Sequence, residues 1–466
     1  MLKHLANNDT ICALATPSGS GAIALIRLSG TASFEITDAI FRAAKNGVRI
    51  QEADPYTIHF GKIYDENTLL DEVLVSVFRA PHSYTGENSI EISCHGSTYI
   101  QQKLIELLLK KGARMAEPGE FTLRAFFNGK FDLSQAEAVA DLIASNSVAS
   151  HNLALEQMRG GFSTKIKNLR KELVDLASLI ELELDFAEED VEFADRTRFL
   201  SLLEEIRREV NQLIDSFALG NVIKHGIPVA IIGKPNAGKS TLLNRILQEE
   251  KAIVSDIPGT TRDSIEDTIS IEGYAFRFID TAGLRDSTDT IENLGIERTY
   301  EKIRQSKIIL YVCDMTKSTP NELEATIDDF KVHIEDENKR FILVGNKIDE
   351  LIEMPRYFHK YLDLETIFVS AKRNENINLI IDSLVASVKN LDLNDSTIVS
   401  NARHLGALNK VGESIQTIET GFREGLPTDL IAIDIRTALH YLGEITGEVT
   451  NNELLGNIFG KFCIGK

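Results

Sequence analysis

The sequence predicts a multidomain α/β protein: a mixed α+β segment, a helical domain made of two segments, and an α/β domain inserted between them. Three observations carry this. Short β-branched runs separated by turn residues fill residues 1 to about 130. From Leu133 to Phe217, and again from Asn401 onward, apolar residues recur three and four apart, the helical spacing. Between them, apolar runs such as Val229–Ile232 alternate with helical stretches such as Ser240–Leu247. The resulting boundaries are 1–130, 131–222, 223–388 and 389–466. The flanking helical segments form one domain because the ends of an inserted domain usually lie close together.

The 466 residues are 43% hydrophobic and 26% charged, the balance of a soluble globular protein. No apolar run approaches the roughly 18 residues of a membrane span. Met1–Asp9 lacks a charged-then-apolar leader pattern, which points to the cytoplasm. Cys12, Cys94, Cys313 and Cys463 stand far apart, so neither a disulfide framework nor a zinc site is expected. With a formal charge of −20, nucleic acid must be met through local basic patches.

Gly233, Gly238, Lys239 and Ser240 fit G-x-x-x-x-G-K-[ST] between a strand and a helix, with Asn236, Ala237 and Thr241 in the same loop. The glycines let successive N–H groups curl around phosphate oxygens at a helix N-terminus. Lys239 then reaches the β/γ-phosphates and Ser240 holds Mg²⁺. Asp256–Asp263 follows as a switch loop in which Thr261 supplies a γ-phosphate-dependent Mg²⁺ ligand. Asp280-Thr281-Ala282-Gly283 comes next, with Asp280 holding the Mg²⁺ shell and the Gly283 N–H sensing the γ-phosphate. Asn346-Lys-Ile-Asp349 and Ser370-Ala371-Lys372 complete the order of a Ras-like GTPase domain. Asp349 can accept from guanine's ring N–H and exocyclic amine together, whereas adenine offers no donor at either place. Lys347 can lie along the base, and the Ala371 N–H can meet the guanine carbonyl.

The position that carries a water-orienting glutamine in Ras-like proteins is Leu284, which cannot do this work. Glu292 is the candidate for holding water, Arg262 and Arg285 are candidate charge stabilisers, and the Asn236 oxygen can help hold a monovalent cation.

In the first segment, strands are expected at Thr10–Ala15, Ala22–Leu28, Val73–Phe78 and Ser89–Ser93, and helices at Ala32–Ala44 and Ile100–Lys111. Gly19, Gly21 and Ala24 mimic a dinucleotide loop, but a strand follows them and no acidic ribose partner does. His95 reads as a hydrogen-bonded strand-end histidine, and Glu91 as a solvated strand residue. The acidic run Glu181–Asp195 reads as a solvated helix end and loop, with docking of a basic partner as the second reading. Lys165–Lys171 is either a phosphate-contacting patch or a solvated helix face. The tail Cys463-Ile-Gly-Lys466 fails as a prenylation signal because Gly465 is not aliphatic and Lys466 is not an accepted last residue.

Taken together, Asp9-Thr-Ile, Ala15-Thr-Pro17, Pro118-Gly-Glu-Phe121, Leu133-Ser-Gln-Ala-Glu137, Gly259-Thr-Thr-Arg-Asp263, Gly295-Ile-Glu-Arg298 and the terminal Cys-Ile-Gly-Lys resemble the MnmE (TrmE) family of tRNA-modification GTPases over the whole chain. The resemblance implies an N-terminal domain like tetrahydrofolate-binding one-carbon enzymes, which forms a homodimer. That domain would bind 5-formyl- or methylene-tetrahydrofolate at positions matching Arg27, Glu91, Lys130 and Lys466, with Cys463 close by as a catalytic candidate. It implies K⁺ in place of an arginine finger, held at positions matching Asn236, Ser255, Ile257 and Thr260, with Glu292 orienting water. Pro258 departs from the alanine other members can carry. The family adds aminomethyl or carboxymethylaminomethyl to carbon 5 of the wobble uridine of tRNA. It works with MnmG (GidA) in a heterotetramer, and FAD enters only through that partner. A ribosome-assembly GTPase would append an RNA-binding module with a G-x-x-G loop, and a septin- or dynamin-like one a basic or apolar membrane face. The helical tail and the net charge fit neither.

Overall fold

Alternation between apolar and polar residues near the start of the chain is used to build one mixed sheet. The computed structural model describes residues 9–45, 47–185, 196–249, 267–279, 303–334, 336, 339–353, 364–389 and 397–465. Its first strands are β1 (Ile11–Leu14), β2 (Ile23–Ser29), β3 (Phe41–Ala43), β4 (Thr57–Asp65), β5 (Thr68–Phe78), β6 (Ser89–His95) and β7 (Arg114–Met115). They lie in the order β3-β4-β5-β6-β2-β1-β7, antiparallel except for β1 with β7. Helices α1 (Ser33–Asp38) and α2 (Thr98–Lys110) share one core with Ile26, Leu28, Val73, Val75, Ile90 and Ile92. Strand residues of opposite parity, including Arg27 and Glu91, therefore face the other side. Helix α3 (Glu120–Phe127) places Phe121 in a second small core with Ile11, Ala13 and Ala116, packed by Tyr84.

The expected helix over Ala32–Ala44 is corrected here. It stops at Asp38, and Phe41 and Ala43 pair instead with Ile63 and Gly61 of β4. Tertiary pairing overrides local spacing: Phe41 packs where Gly61 has no side chain, and a Cβ there would collide with its ring. The strand expected at Val73–Phe78 starts five residues earlier, at Thr68.

Among the described residues four helices follow: α4 (Leu133–Ala144), α5 (Val148–Met158), α6 (Gly161–Asp185) and α7 (Arg196–His225). The second sheet contains β8 (Ile227–Ile232), β9 (Asp267–Ile271), β10 (Tyr274–Phe278), β11 (Ile308–Asp314), β12 (Arg340–Asn346) and β13 (Thr366–Val369). Its order is β13-β12-β11-β8-β10-β9, parallel throughout except for the β9–β10 pair. Helices α8 (Lys239–Glu249), α9 (Pro320–Ile334) and α10 (Ile377–Lys389) accompany this sheet. It has a core on each face, which is why β8, β11 and β12 read as continuous apolar runs. Helices α11 (Ala402–Glu424), α12 (Thr428–Thr446) and α13 (Asn452–Phe459) end the chain.

Two compact units emerge. One comprises residues up to 140, 157–207 and 409 onward; the other comprises 141–156 and 208–408. In the first unit, α13 and the residues after it join α3 and α4 through Leu123, Leu133, Leu455, Phe459 and Phe462. Of the basic residues on α6, Lys167 pairs with Asp132 and Arg170 with Glu448, so those charges are partly spent within the unit.

An ion network ties the start of β1 to α3. Arg114 reaches Asp9 at 2.8 Å and both Glu120 oxygens at 2.6 and 3.0 Å. Arg124 bonds Asp9 at 2.7 Å, Glu120 at 3.0 Å and Glu87 at 3.2 Å. Burial pushes the Glu120 carboxyl up, but hydrogen bonds from Arg114 and the Glu117 amide outweigh it and hold the group below the usual carboxylate range. A depressed folded pKa stabilises above the unfolded value and is lost as pH falls through the folded one. Glu120→Ala is expected to cost this unit about 3–5 kcal/mol at pH 7, because two guanidinium groups lose a buried partner. The difference from the parent should shrink below roughly pH 4. Urea unfolding at the two pH values checks it, and a cost that does not change with pH contradicts it.

Candidate functional site

The carboxyl ends of the parallel strands in the second sheet carry the chemistry-bearing loops, as open α/β sheets require. Strand β8, buried along its whole length, ends at Ile232, and Gly233 follows it. Gly233 has φ +142° and Gly238 φ +95°. A Cβ on the first would collide with the Val312 carbonyl oxygen, and on the second with the Asn346 side chain. Glycine is thus demanded at both ends of the loop. Asn236 takes the left-handed region at φ +61°, and it lines a groove of about 190 Å³ with Lys234, Asp314, Lys317 and Thr326. The Lys239 ammonium donates to the Gly233 and Lys234 carbonyls at 2.8 and 2.9 Å, so the loop curls around it. Lys239, Ser240 and Thr241 form the first turn of α8. Backbone N–H groups at a helix N-terminus beside an ammonium are an arrangement that suits an anion.

A second set of residues meets this loop from the ends of β11, β12 and β13. Asn346, 2% exposed, donates from Nδ2 to the Ala237 carbonyl at 2.8 Å and accepts from the Ala371 N–H at 3.0 Å. The Lys347 ammonium donates to Asp314 at 2.6 Å. Burial pushes the Asp314 carboxyl up, but hydrogen bonds from Lys347 and Thr316 bring it below its ordinary value. The Ser370 hydroxyl donates to Asp349 Oδ1 at 2.7 Å, and that bond is the first cause of the lowered Asp349 carboxyl. Asp349 is therefore held ionised and oriented, an acceptor for two neighbouring donors. Asn236 to Thr241, Asn346, Lys347, Asp349, Ser370 and Ala371 thus come together. Ser255, Ile257, Thr260, Thr261, Asp280 to Gly283 and Glu292 lie outside the described residues, as do Pro258, Arg262 and Arg285. Sequence reasoning missed the role of Asp314 as the partner of Lys347; its place at the end of an apolar strand was the available signal.

A separate cluster lies in the first unit. Arg27 on β2 is directly opposite Glu91 on β6, and its Nε and Nη2 donate to Glu91 Oε1 at 2.9 and 2.8 Å. Glu91 is thus an ion-pair partner, 23% exposed, rather than a solvated strand residue. The guanidinium lies over the rings of Tyr84 and Phe121, 5.3 and 5.7 Å from their centroids, and contacts the Gly465 carbonyl at 3.5 Å. The Cys463 carbonyl accepts from the Gly119 N–H at 3.4 Å. Lys130 is exposed, with its side chain beside Gly86, which follows Tyr84 by two residues; Lys466 lies outside the described residues. Burial pushes Cys12 and Cys313 up to about 12 and Cys94 to about 11, whereas Cys463 is exposed. Among the described thiols, Cys463 is the one placed for chemistry with a solute. His95, as expected, is hydrogen-bonded: its N–H and Nδ1 both meet Asp71, at 2.8 and 2.7 Å.

Comparison with known proteins adds to these geometries. Residues 10–130 match the family model "GTP-binding protein TrmE N-terminus" and 133–463 match "MnmE helical domain". The chain is 54% identical to the tRNA modification GTPase MnmE of Flavobacterium psychrophilum over 98% of its length and 99% of the relative's. It is 53% identical to that of Flavobacterium johnsoniae, covering 99% and 100%, and 48% identical to that of Porphyromonas gingivalis, covering both chains fully (100%). Among solved structures, the G domain of the T. maritima FeoB iron transporter aligns at 24% identity and TM-score 0.25, over 34% of this chain and 97% of that one.

Asp349→Asn is expected to weaken GTP by about tenfold to hundredfold and to improve xanthosine triphosphate, since the amide presents a donor where guanine also has one. Competition binding of the two nucleotides measures this; retained guanine preference contradicts the assignment of Asp349.

Proposed function

Because this chain belongs to the MnmE family of tRNA modification GTPases, we propose that it hydrolyses GTP to drive modification of the wobble uridine. The group added is aminomethyl or carboxymethylaminomethyl at carbon 5. The observation that carries the reading is Asn346, which joins the phosphate loop to the loop of Ala371 beside an oriented Asp349. That arrangement suits a guanine nucleotide.

In this reading Ala237 to Thr241 take the phosphates, and Lys239 transfers its donors from loop carbonyls to phosphate oxygens. Ser240 and Thr261 would hold Mg²⁺ with help from Asp280; two hydroxyls and a carboxylate are hard oxygen donors of the kind that ion takes. Thr281, Ala282 and Gly283 complete the γ-phosphate contacts. Asn236 fits a monovalent cation through its neutral side-chain oxygen, joined by Ser255, Ile257 and Thr260. K⁺ bound there supplies the positive charge that an arginine finger supplies elsewhere. Glu292 orients the attacking water, since Leu284 cannot.

The N-terminal cluster is assigned to 5-formyl- or methylene-tetrahydrofolate. Arg27, Lys130 and Lys466 suit its carboxylates, and Glu91 suits the donor edge of the pterin. Cys463 stands beside this cluster at the tail. The domain boundaries 1–130, 131–222, 223–388 and 389–466 belong to the same proposal. So do a homodimer, a heterotetramer with the FAD-dependent MnmG, tRNA as substrate and a cytoplasmic location. Among the described residues no helix is long and apolar enough to cross a membrane.

Steady-state GTP hydrolysis is expected to rise by at least tenfold in K⁺ over Na⁺ at equal ionic strength. Equal rates contradict the cation assignment. Cys463→Ser is expected to leave GTP hydrolysis intact while abolishing the modified wobble nucleoside in tRNA digests. Normal nucleosides in that variant rule out a required thiol.

A further inference from the structure

The turn after β13 is held from three directions. Ser370 and Glu375 exchange backbone hydrogen bonds at 3.1 and 3.0 Å, closing residues 370–375 into a loop. Asn346 Oδ1 takes the Ala371 N–H on one side. On another, half-buried Arg245 reaches across from α8: its Nε donates to the Ala371 carbonyl at 3.1 Å and its Nη2 to the Lys372 carbonyl at 3.2 Å. The third guanidinium nitrogen donates to Gln248 at 3.2 Å, on the next turn of the same helix. A planar fork that spans two successive carbonyls fixes the orientation of both peptide planes, which a flexible ammonium cannot do.

The consequence for recognition follows from peptide geometry. In a trans peptide the C=O and the next N–H point in opposite directions. With the Ala371 carbonyl drawn to Arg245, the Lys372 N–H is turned away from it. The Arg373 N–H, opposite the Lys372 carbonyl, is taken by the Ser370 hydroxyl at 3.1 Å, the same hydroxyl that orients Asp349. Arg245 grows from the helix whose first turn carries Lys239 and Ser240. One helix therefore supplies the phosphate contacts at its start and a brace for the base-facing turn two turns later.

We propose that Arg245 is a positioning residue for guanine, setting the Lys372 N–H of this turn against the carbonyl at position 6 of the base, while the Ala371 N–H stays with Asn346. This rests on the assignment of that turn to guanine, and the test separates the two.

Dissociation constants are measured for GTP, for 6-thio-GTP, which keeps the ring N–H and the amine but replaces the carbonyl oxygen by a poor acceptor, and for ITP, which lacks only the exocyclic amine read by Asp349. The unsubstituted protein should prefer GTP over both analogues; no preference over either removes the guanine assignment itself. In Arg245→Ala the GTP over 6-thio-GTP preference should collapse by roughly fivefold to tenfold, the worth of about one hydrogen bond. The GTP over ITP preference should persist. Arg245→Lys, able to serve one carbonyl at a time, should fall between, and it carries the test if the alanine variant does not fold. An unchanged 6-thio-GTP ratio in these variants overturns the proposal. So does a parallel loss of both preferences, which marks a general loosening of the site.

Discussion

The side-chain amide of Asn346 is the interaction on which the nucleotide site depends. Its two ends are satisfied by backbone groups from loops far apart in the chain, the Ala237 carbonyl and the Ala371 N–H. A buried amide stripped of one partner costs about 1–3 kcal/mol, so the two loops are stable in this arrangement only together. Gly238 belongs to the same contact, since the Asn346 amide lies where a Cβ on residue 238 would be. The strand order places the ends of β8, β11, β12 and β13 so that Lys347 meets Asp314 while Asn346 meets the phosphate loop. The sheet sets the spacing, and the amide sets the register between the loop of Ala237 and the loop of Ala371.

The first unit uses charge and glycine to present a chain terminus. The network of Asp9, Arg114, Glu120 and Arg124 fixes the entry to α3. There Gly119, at φ +68°, brings its N–H to the Cys463 carbonyl, and a Cβ at this position would collide with the Phe459 carbonyl. Gly465, at φ +98°, lies against the Leu14 carbonyl with equally little room. Phe459 and Phe462 anchor the tail in apolar packing, and Cys463 between these contacts remains exposed. The Arg27–Glu91 pair, whose guanidinium contacts the Gly465 carbonyl, is fixed by the β2–β6 register and by Tyr84 and Phe121.

Much of this was legible in the sequence, and the exceptions have physical reasons. The parallel sheet could be read because strands buried on both faces are continuous apolar runs, and its loops because phosphate binding requires glycines and a lysine at set spacing. The helix expected over Ala32–Ala44 failed because a three-residue strand, Phe41–Ala43, gains its stability from β4 rather than from its own spacing. β4 was not read from the sequence, and its apolar alternation, Ile58 and Phe60, falls on the exposed face rather than on the core face. At the sites, residue types were readable and pairings were not. Nothing local to Glu91 announces Arg27, and nothing in α8 announces that Arg245 reaches residues 371 and 372. Such contacts depend on which strand lies beside which, a property of the sheet rather than of any segment.

The central claim is that one amide couples the two loops, and amide hydrogen exchange across residues 233–240 and 370–373 in an Asn346→Ala variant tests it most directly. The account predicts that both segments lose protection together, each by about tenfold or more, because both lose the same partner. Loss confined to one segment, or to neither, would show that the loops are held independently and would contradict it.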